Sequence, residues 1–537
     1  MLIYLIFGVL ILGVLLVLIL HSYKPNAARS WVIAMISLVA AWLGSFVLRL
    51  YLPSEITLTH WYQGTAFAES LGLSIDYSNW LYMVAALSMA VAVTLTDTTR
   101  ANVKTKPDAW VRVITITALN LISILAANPL TMAISWMLVD LFDIFSLLRL
   151  SNAAKLGTKI RSVFGIRILS TFMLVFATSV SWRIDPVQIN YAQMTNASIY
   201  FLIAAGLRLG VLPLNLPLLD SPEMKHGSGI LYRLLPAASA LVLIGRFHEE
   251  FLLFNETLSS IVQMLTLIAA FYSATMWMTR ENSFQGRPYW MVALSALAIQ
   301  CVLNGHAGAS RAWGLGLLLS GSLIFLFNPP IRRIRFLPML GLLGFIGLPY
   351  TLAASGWEGL LPDRFNLTWL VMVVTHAFLV LGYFRFLIES QSTVTGLEKF
   401  ARVTFPLGLV TLLQTILVLG VVGWPGVLTV GNLWGSLGSL AIVGLSLGLS
   451  RRFGFQTAAA RISESMPLYR LGSLIVRFLR NFLSMAWLAK LVRSAFDRLC
   501  KFGNFFNRVF EGDGGILWSL VFIVVFSIVF LSIGIAR

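Results

Sequence analysis

Six side chains in this chain have the type and the setting to do chemistry, and all six stand in apolar surroundings. Arg208 lies in LIAAGLRLGVLPLNLP (202–217) and Arg233 in GILYRLLPAASALVLIG (229–245). Asp140 and Asp143 lie in SWMLVDLFDIFSLL (135–148), Glu358 in GLPYTLAASGWE (347–358) and His376 in MVVTHAFLV (372–380). A cation at bilayer depth costs roughly 3 kcal/mol on insertion scales, so it faces a protein interior or a wet cavity and marks a functional site by default. Arginine keeps its proton in proteins. Arg208 and Arg233 can bind an anion, hold a carboxylate ionised or set a field, but they cannot relay protons. Asp140, Asp143, Glu358 and His376, with water, can take up and release protons, and histidine does so near neutrality.

Each of these residues also has a plainer reading. Arg208 with Asp140 or Asp143 forms an interior ion pair that locks two helices together. His376 is a histidine satisfied by a hydrogen bond between packed helices. His306 is a loop residue, and Gln300 and Asn304, one turn apart, make helix–helix hydrogen bonds. Prolines 213, 217 and 236 stand beside the two arginines and predict a broken backbone there.

Composition says what must position these groups. Of 537 residues 58% are hydrophobic and 11% charged, more apolar sequence than a soluble core needs. About sixteen apolar stretches recur, each long enough to cross ~30 Å of hydrocarbon. They lie near 2–21, 31–51, 79–95, 111–127, 130–149, 163–181, 198–213, 229–245, 257–278, 289–303, 312–328, 337–354, 367–388, 403–423, 430–449 and 515–535. The first lacks the basic start of a cleaved signal peptide and is read as a helix. Cys301 and Cys500 are packing residues, too few for a metal framework. The fold class is an all-α polytopic membrane protein.

The net charge of +17 is spread over the connections between spans. Lys24 and Arg29 follow the first span, Arg100, Lys104, Lys106 and Arg112 the third, Lys155, Lys159 and Arg161 the fifth, Arg280 and Arg287 the ninth, and Arg332, Arg333 and Arg335 the eleventh. The alternate connections carry Glu55, Glu69, Asp76, Asp185, Glu249, Glu250, Glu256 and Asp363. The positive-inside rule then predicts cytoplasmic basic loops and both termini outside, in a bacterial inner membrane. Charge distributed in this way has no soluble module to carry it, so nucleic acid is not an expected partner. Residues 453–512 are too charged to span, and place Arg470, Arg477 and Arg480 on one helical face and Lys490, Arg493, Lys501 and Arg508 on another. They predict a cationic lateral amphipathic helix that meets anionic lipid or braces neighbouring helices, ahead of a last span at 515–535.

The broken segments 206–217 and 347–358, each with an ionisable residue, suggest matching places in two inverted repeats. The expected organisation is an N-terminal part over 1–109, five-helix repeats over 110–247 and 257–389, and two further spans over 400–450.

Several of these segments carry a family resemblance. LSIDYSNWLYM (73–83) is similar to the third helix, and SWMLVDLFDIFSLL to the fifth helix, of the antiporter-like membrane subunits of respiratory complex I, shared with Mrp-type cation/proton antiporters and membrane-bound hydrogenases. LRLGVLPLNLPLLDSPEM (207–224) resembles the broken seventh helix, SGILYRLLPAASALVLIGR (228–246) the eighth, GLPYTLAASGWE the broken twelfth and FLVLGYFRFL (378–387) the thirteenth. The order and spacing of these segments carry the case. The lateral helix and last span look like the family's long-arm members.

The departures bear on mechanism. The family's fifth-helix Glu falls on Met137, its seventh-helix Lys on Arg208, its eighth-helix His on Tyr232 beside Arg233, and its twelfth-helix Lys or Glu on Trp357 beside Glu358. All nine lysines lie outside the predicted spans. A buried lysine can give up its proton; these arginines cannot. The resemblance implies a proton- or cation-translocating subunit of a larger membrane complex, using intramembrane carboxylates and water with Arg208 and Arg233 as fixed charges. A non-conducting structural subunit and an arginine-lined anion transporter are the alternatives. Other membrane subunits are the expected partners. No phosphate loop, metal cluster or nucleophile triad points to a cofactor or to a catalytic site of the chain's own.

Overall fold

A computed structural model describes residues 2–23, 27–59, 71–97, 108–150, 153–184, 197–216, 227, 229–247, 256–280, 283–326, 334, 336–361, 367–389, 401–424, 427–453, 494, 498, 523 and 524. Helices dominate. They run α1 Leu2–Tyr23, α2 Ala27–Leu48, α3 Tyr77–Thr96, α4 Asp108–Ile124, α5 Pro129–Leu150, α6 Ala153–Ile184, α7 Ser198–Leu209, α8 Gly229–Ile244 and α9 Glu256–Thr279. After these come α10 Ser283–Leu303, α11 Ala307–Leu315, α12 Gly321–Leu326, α13 Phe336–Leu340, α14 Ala354–Leu360, α15 Leu367–Glu389, α16 Ala401–Val422 and α17 Leu433–Phe453. Nine stretches among the described residues are long and apolar enough to cross a membrane, and four shorter apolar helices accompany them. The chain is an all-α polytopic membrane protein.

Two helices form the centre. All 16 residues of α8 are buried, and α3 is buried from Asn79 to Thr96. A helix apolar on every side must be surrounded, and α8 meets α3, α4, α7, α10 and α11. At the periphery α1 and α2 present Tyr4, Leu5, Ile11, Ile36 and Leu43 outward, as lipid-facing helices do.

Two parts of the connection between α2 and α3 form strands. β1 (Ser54–Thr59) and β2 (Leu71–Ile75) form an antiparallel pair, Ser54 opposite Ile75. It leads into α3 through Asp76, whose carboxylate accepts from the N–H groups of Ser78 and Asn79 while Asn79 returns a bond to the Asp76 backbone. This capping box turns the expected outer-loop acid into a helix start.

Several expected loop cations lie within helices instead. Arg29 is in α2, Arg112 in α4, and Lys155, Lys159 and Arg161 are in α6. Helices continue past the apolar stretch that crosses lipid, and hydropathy sees only the apolar part. The division of the chain at residue 460 leaves a second unit in which only Ser494, Arg498, Ile523 and Val524 are described, each helical. The predicted lateral helix at 453–512 and last span at 515–535 otherwise lie outside the described residues.

Candidate functional site

Helix α5 buries its acids and exposes its apolar side chains. Trp136, Val139, Asp140 and Asp143 are buried, while Met137, Leu138, Leu141 and Phe145 are exposed. Spacings of three, four and seven residues put the buried set on one face. That face meets α6, and the exposed face is a lipid-type surface. Met137, on which the resemblance places a carboxylate, points outward at 54% exposure. One turn on, Asp140 is the inward acid.

Four charges from three helices meet there. Arg208 of α7 donates from Nη1 to Asp140 Oδ2 and from Nη2 to Asp140 Oδ1, each at 3.0 Å. This is the two-pronged pairing that a planar guanidinium makes with a carboxylate. Arg167 of α6 donates from Nη1 to Asp143 Oδ2, and the same nitrogen lies 3.5 Å from Asp140 Oδ1. The guanidinium of Arg208 also rests on the Trp136 ring, 4.4 Å from its centroid, a cation–π contact. Two carboxylates and two guanidiniums sum to zero charge, the condition under which buried ions are tolerated.

The backbone helps to hold Arg208. α7 stops at Gly210, which takes a left-handed φ of 79°. Val211 N–H donates to Gly206 O at 2.8 Å and Gly210 N–H to Leu207 O at 3.2 Å. That is a Schellman ending, which glycine permits without a Cβ clash. Arg208 therefore sits in the last turn of α7, where the helix dipole favours a cation. The helix ends at Leu209, four residues before the first of the predicted breakers, Pro213.

Pro236 does not break α8, against expectation; the helix runs continuously from Gly229 to Ile244. Proline removes one N–H and so frees the carbonyl four residues back. That carbonyl belongs to Tyr232, and Arg167 Nη2 stands 3.5 Å from it. A second tie comes from Trp136, whose Nε1 donates to Ser239 Oγ of α8 at 2.8 Å. Arg233 is buried in the same helix. Tyr232 stands near Ser146 of α5 and Arg112 of α4.

A second interior, around α15, is built from rings. The chain between α13 and α14 is irregular, with a 3₁₀ turn at Gly341–Gly344, φ of 70° at Gly347 and φ of 61° at Tyr350, a left-handed value uncommon outside glycine. His376 of α15 is fully buried, with Nε2 2.9 Å from Phe345 O and Nδ1 2.7 Å from Ser439 Oγ of α17. A carbonyl only accepts, so Nε2 carries a hydrogen, and both ring nitrogens are engaged. Trp357, Trp313 and Phe345 surround the imidazole at centroid distances of 4.9, 5.4 and 6.1 Å. Glu358 is exposed on α14 and joins neither group. His306 is exposed at the start of α11, and Asn304 donates to Gly359 O at 2.9 Å.

Sequence reasoning missed two arginines. Arg167 falls inside the predicted span 163–181, so the rule that flagged Arg208 applied to it as well. Arg287, expected in a basic loop, is fully buried in α10, its guanidinium 4.9 Å from the Phe325 ring and 5.6 Å from that of Phe386. α10 starts at Ser283, earlier than the predicted span, and carries Pro288 inside it, as α8 carries Pro236. Arg311 likewise lies within α11.

The fold and this interior are those of an all-α polytopic membrane protein. No protein-family profile and no curated protein matches the chain. Solved structures do. A chain of the archaeal respiratory membrane complex MBS, the membrane-bound sulfane sulfur reductase, is 12% identical with a TM-score of 0.69, over 98% of this chain and 100% of that one. A chain of the Mrp complex from Dietzia sp. DQ12-45-1b is 14% identical with a TM-score of 0.69, over 98% of this chain and 63% of that longer one. The chain therefore shares the fold of these two membrane-complex chains.

Proposed function

We propose that this chain is the ion-translocating, antiporter-like subunit of a larger membrane complex, and that it moves protons or another small cation. Asp140 and Asp143 exchange the ion with water, while Arg208 and Arg233 act as fixed charges. The basic connections face the cytoplasm, and the cationic segment at 453–512 meets anionic lipid or a neighbouring subunit.

The observation that carries this reading is the four-charge network at the end of α7. Buried ion pairs add little net stability over apolar side chains of the same size, because desolvation offsets the attraction. A network kept at that cost inside a membrane points to use. Its members come from α5, α6 and α7, so a shift of any one helix changes who pairs with whom. His376 and Glu358 take no part in this scheme.

The closed fork between Arg208 and Asp140 favours a second reading, a scaffold in which the pair only locks α5 to α7. The anion-transport reading loses ground on the same geometry, because the fork of Arg208 is already filled by a carboxylate.

The test is pH-driven flux by the complete complex in liposomes. Wild type should carry current, Asp140→Asn and Asp143→Asn should each abolish it, and Arg208→Lys should retain part of it. A wild-type complex that carries no flux leaves only the scaffold. Flux that requires an added anion restores the third reading.

A further inference from the structure

The two aspartates are not equivalent. Both oxygens of Asp140 are engaged by Arg208, whereas Asp143 has Oδ2 on Arg167 and a buried Oδ1 to which no described group donates. A buried carboxylate oxygen without a donor is costly as an anion and can be relieved by a proton. Arg167 Nη1 bridges the pair, bonded to Asp143 and 3.5 Å from Asp140 Oδ1. A movement of about half an ångström would bring that nitrogen to ordinary hydrogen-bond distance from Asp140.

We infer that Asp143 is the proton-exchanging carboxylate, and that Arg167 is a positioning residue which passes from Asp143 to Asp140 when Asp143 takes up its proton. The inference rests on the translocation reading above. In the step an O–H bond of a hydronium ion breaks and one forms at Asp143 Oδ1, water is left behind and Asp143 becomes neutral, while Arg167 keeps all its protons. The network then holds one carboxylate and two guanidiniums. Asp140 is shared between Arg167 and Arg208, and the fork on Arg208 loosens. Loss of the proton reverses each change.

Every element around Asp143 bears on this exchange. α5 contributes Asp140, α6 Arg167 and α7 Arg208. α8 contributes Tyr232, which stands next to Arg112 of α4, and Arg233 is buried on the same helix. Arg167 reaches α8 as well, through the Tyr232 carbonyl that Pro236 leaves free. A move of Arg167 toward Asp140 is thereby felt by α8.

The experiment is infrared difference spectroscopy between acidic and neutral pH on the full chain within its complex, in liposomes, with flux recorded on the same samples. A carboxylic C=O band should appear on acidification in wild type, vanish in Asp143→Asn and persist in Asp140→Asn. Arg167→Gln should keep that band at pH values where wild type has lost it, because the cation that favours the carboxylate is gone. Arg167→Lys should restore the wild-type profile, which a purely structural role would not require. Should Asp143→Asn fail to fold, Asp143→Glu must displace the band, and Asp143→Asn/Arg167→Gln removes one charge of each sign. A band unchanged in the Asp143 variants overturns the inference, as does flux that survives Asp143→Asn in a conducting complex. A band that depends on Asp143 in a complex that never conducts leaves the proton site standing and sinks the translocation reading instead.

Discussion

Asp140 of α5 and His376 of α15 are both ionisable groups buried within helices of membrane length, and their surroundings differ completely. Asp140 lies among Arg208, Arg167 and Asp143. His376 lies among two tryptophans and a phenylalanine, bonded only to a neutral hydroxyl and a backbone carbonyl. Both regions face an irregular chain segment, the Schellman stop at Gly210 and the turns between α13 and α14. A similar backbone device thus frames two kinds of interior. In the first, partners can be exchanged, because one guanidinium already touches two carboxylates. In the second, rings interlock and each polar atom of the imidazole is spoken for, so movement means repacking.

The sharpest way to break this contrast is at Asp140. Asp140→Leu leaves the Arg208 guanidinium buried without its partner and should cost about 3–5 kcal/mol of stability. Asp140→Leu/Arg208→Leu should recover most of that loss, since replacing a buried pair by apolar residues is often neutral or stabilising. Thermal unfolding in detergent measures both. Equal destabilisation of the single and double variants would mean that the pair is not a unit. Flux should be absent in both, which separates what holds the helices from what moves the ion.

The first half was partly legible in the sequence because charge in an apolar run stands out. Arg208, Arg233, Asp140 and Asp143 could be named from type and position alone, and so could the stop after Arg208, because glycine and proline follow it. Which carboxylate Arg208 takes could not be read, since Asp140 and Asp143 share a helical face and only the position of α7 decides between them. Arg167 stands inside an apolar stretch and is legible by the same rule as Arg208. Arg287 is not, because it lies just outside its stretch, where the same letters describe a solvated helix end or a buried one, and only neighbouring helices distinguish these. In the second half the segment GLPYTLAASGWE (347–358) reads as a break, but the ring of Trp313, Trp357 and Phe345 around His376 brings together residues from distant parts of the chain. No periodicity reports such a meeting. The pairing of β1 with β2 is not legible because SEITLT (54–59) is short and reads as a connection between spans.

His376→Leu tests the other side of the contrast with a smaller effect. It leaves the Phe345 carbonyl and the Ser439 hydroxyl without their imidazole partner in a buried setting, a cost of about 1–3 kcal/mol. The aromatic contacts are largely kept, because leucine fills much of the ring's space. Unfolding should move accordingly, while flux through the complex stays close to wild type. A variant that is stable but silent in flux would place His376 in the ion path and end the division drawn between the halves.

The smallest expected effect comes from Trp136→Phe, at the seam where the network meets α8. Phenylalanine keeps a ring face under Arg208 but offers a weaker one than indole, and it deletes the hydrogen bond from Nε1 to Ser239 Oγ. That bond would contribute about 1 kcal/mol in isolation. Ser239 loses a donor but its own hydroxyl still donates to the Pro236 carbonyl at 3.3 Å, so it is not stranded by the change. The loss should therefore sit at the low end, with the fork between Arg208 and Asp140 intact and flux only slightly altered. A loss comparable to that of Asp140→Leu would instead show that the indole fixes where Arg208 can stand. The exchange between Asp143 and Asp140 would then depend on α5 and α8 being held together by this one side chain, in addition to the charges themselves.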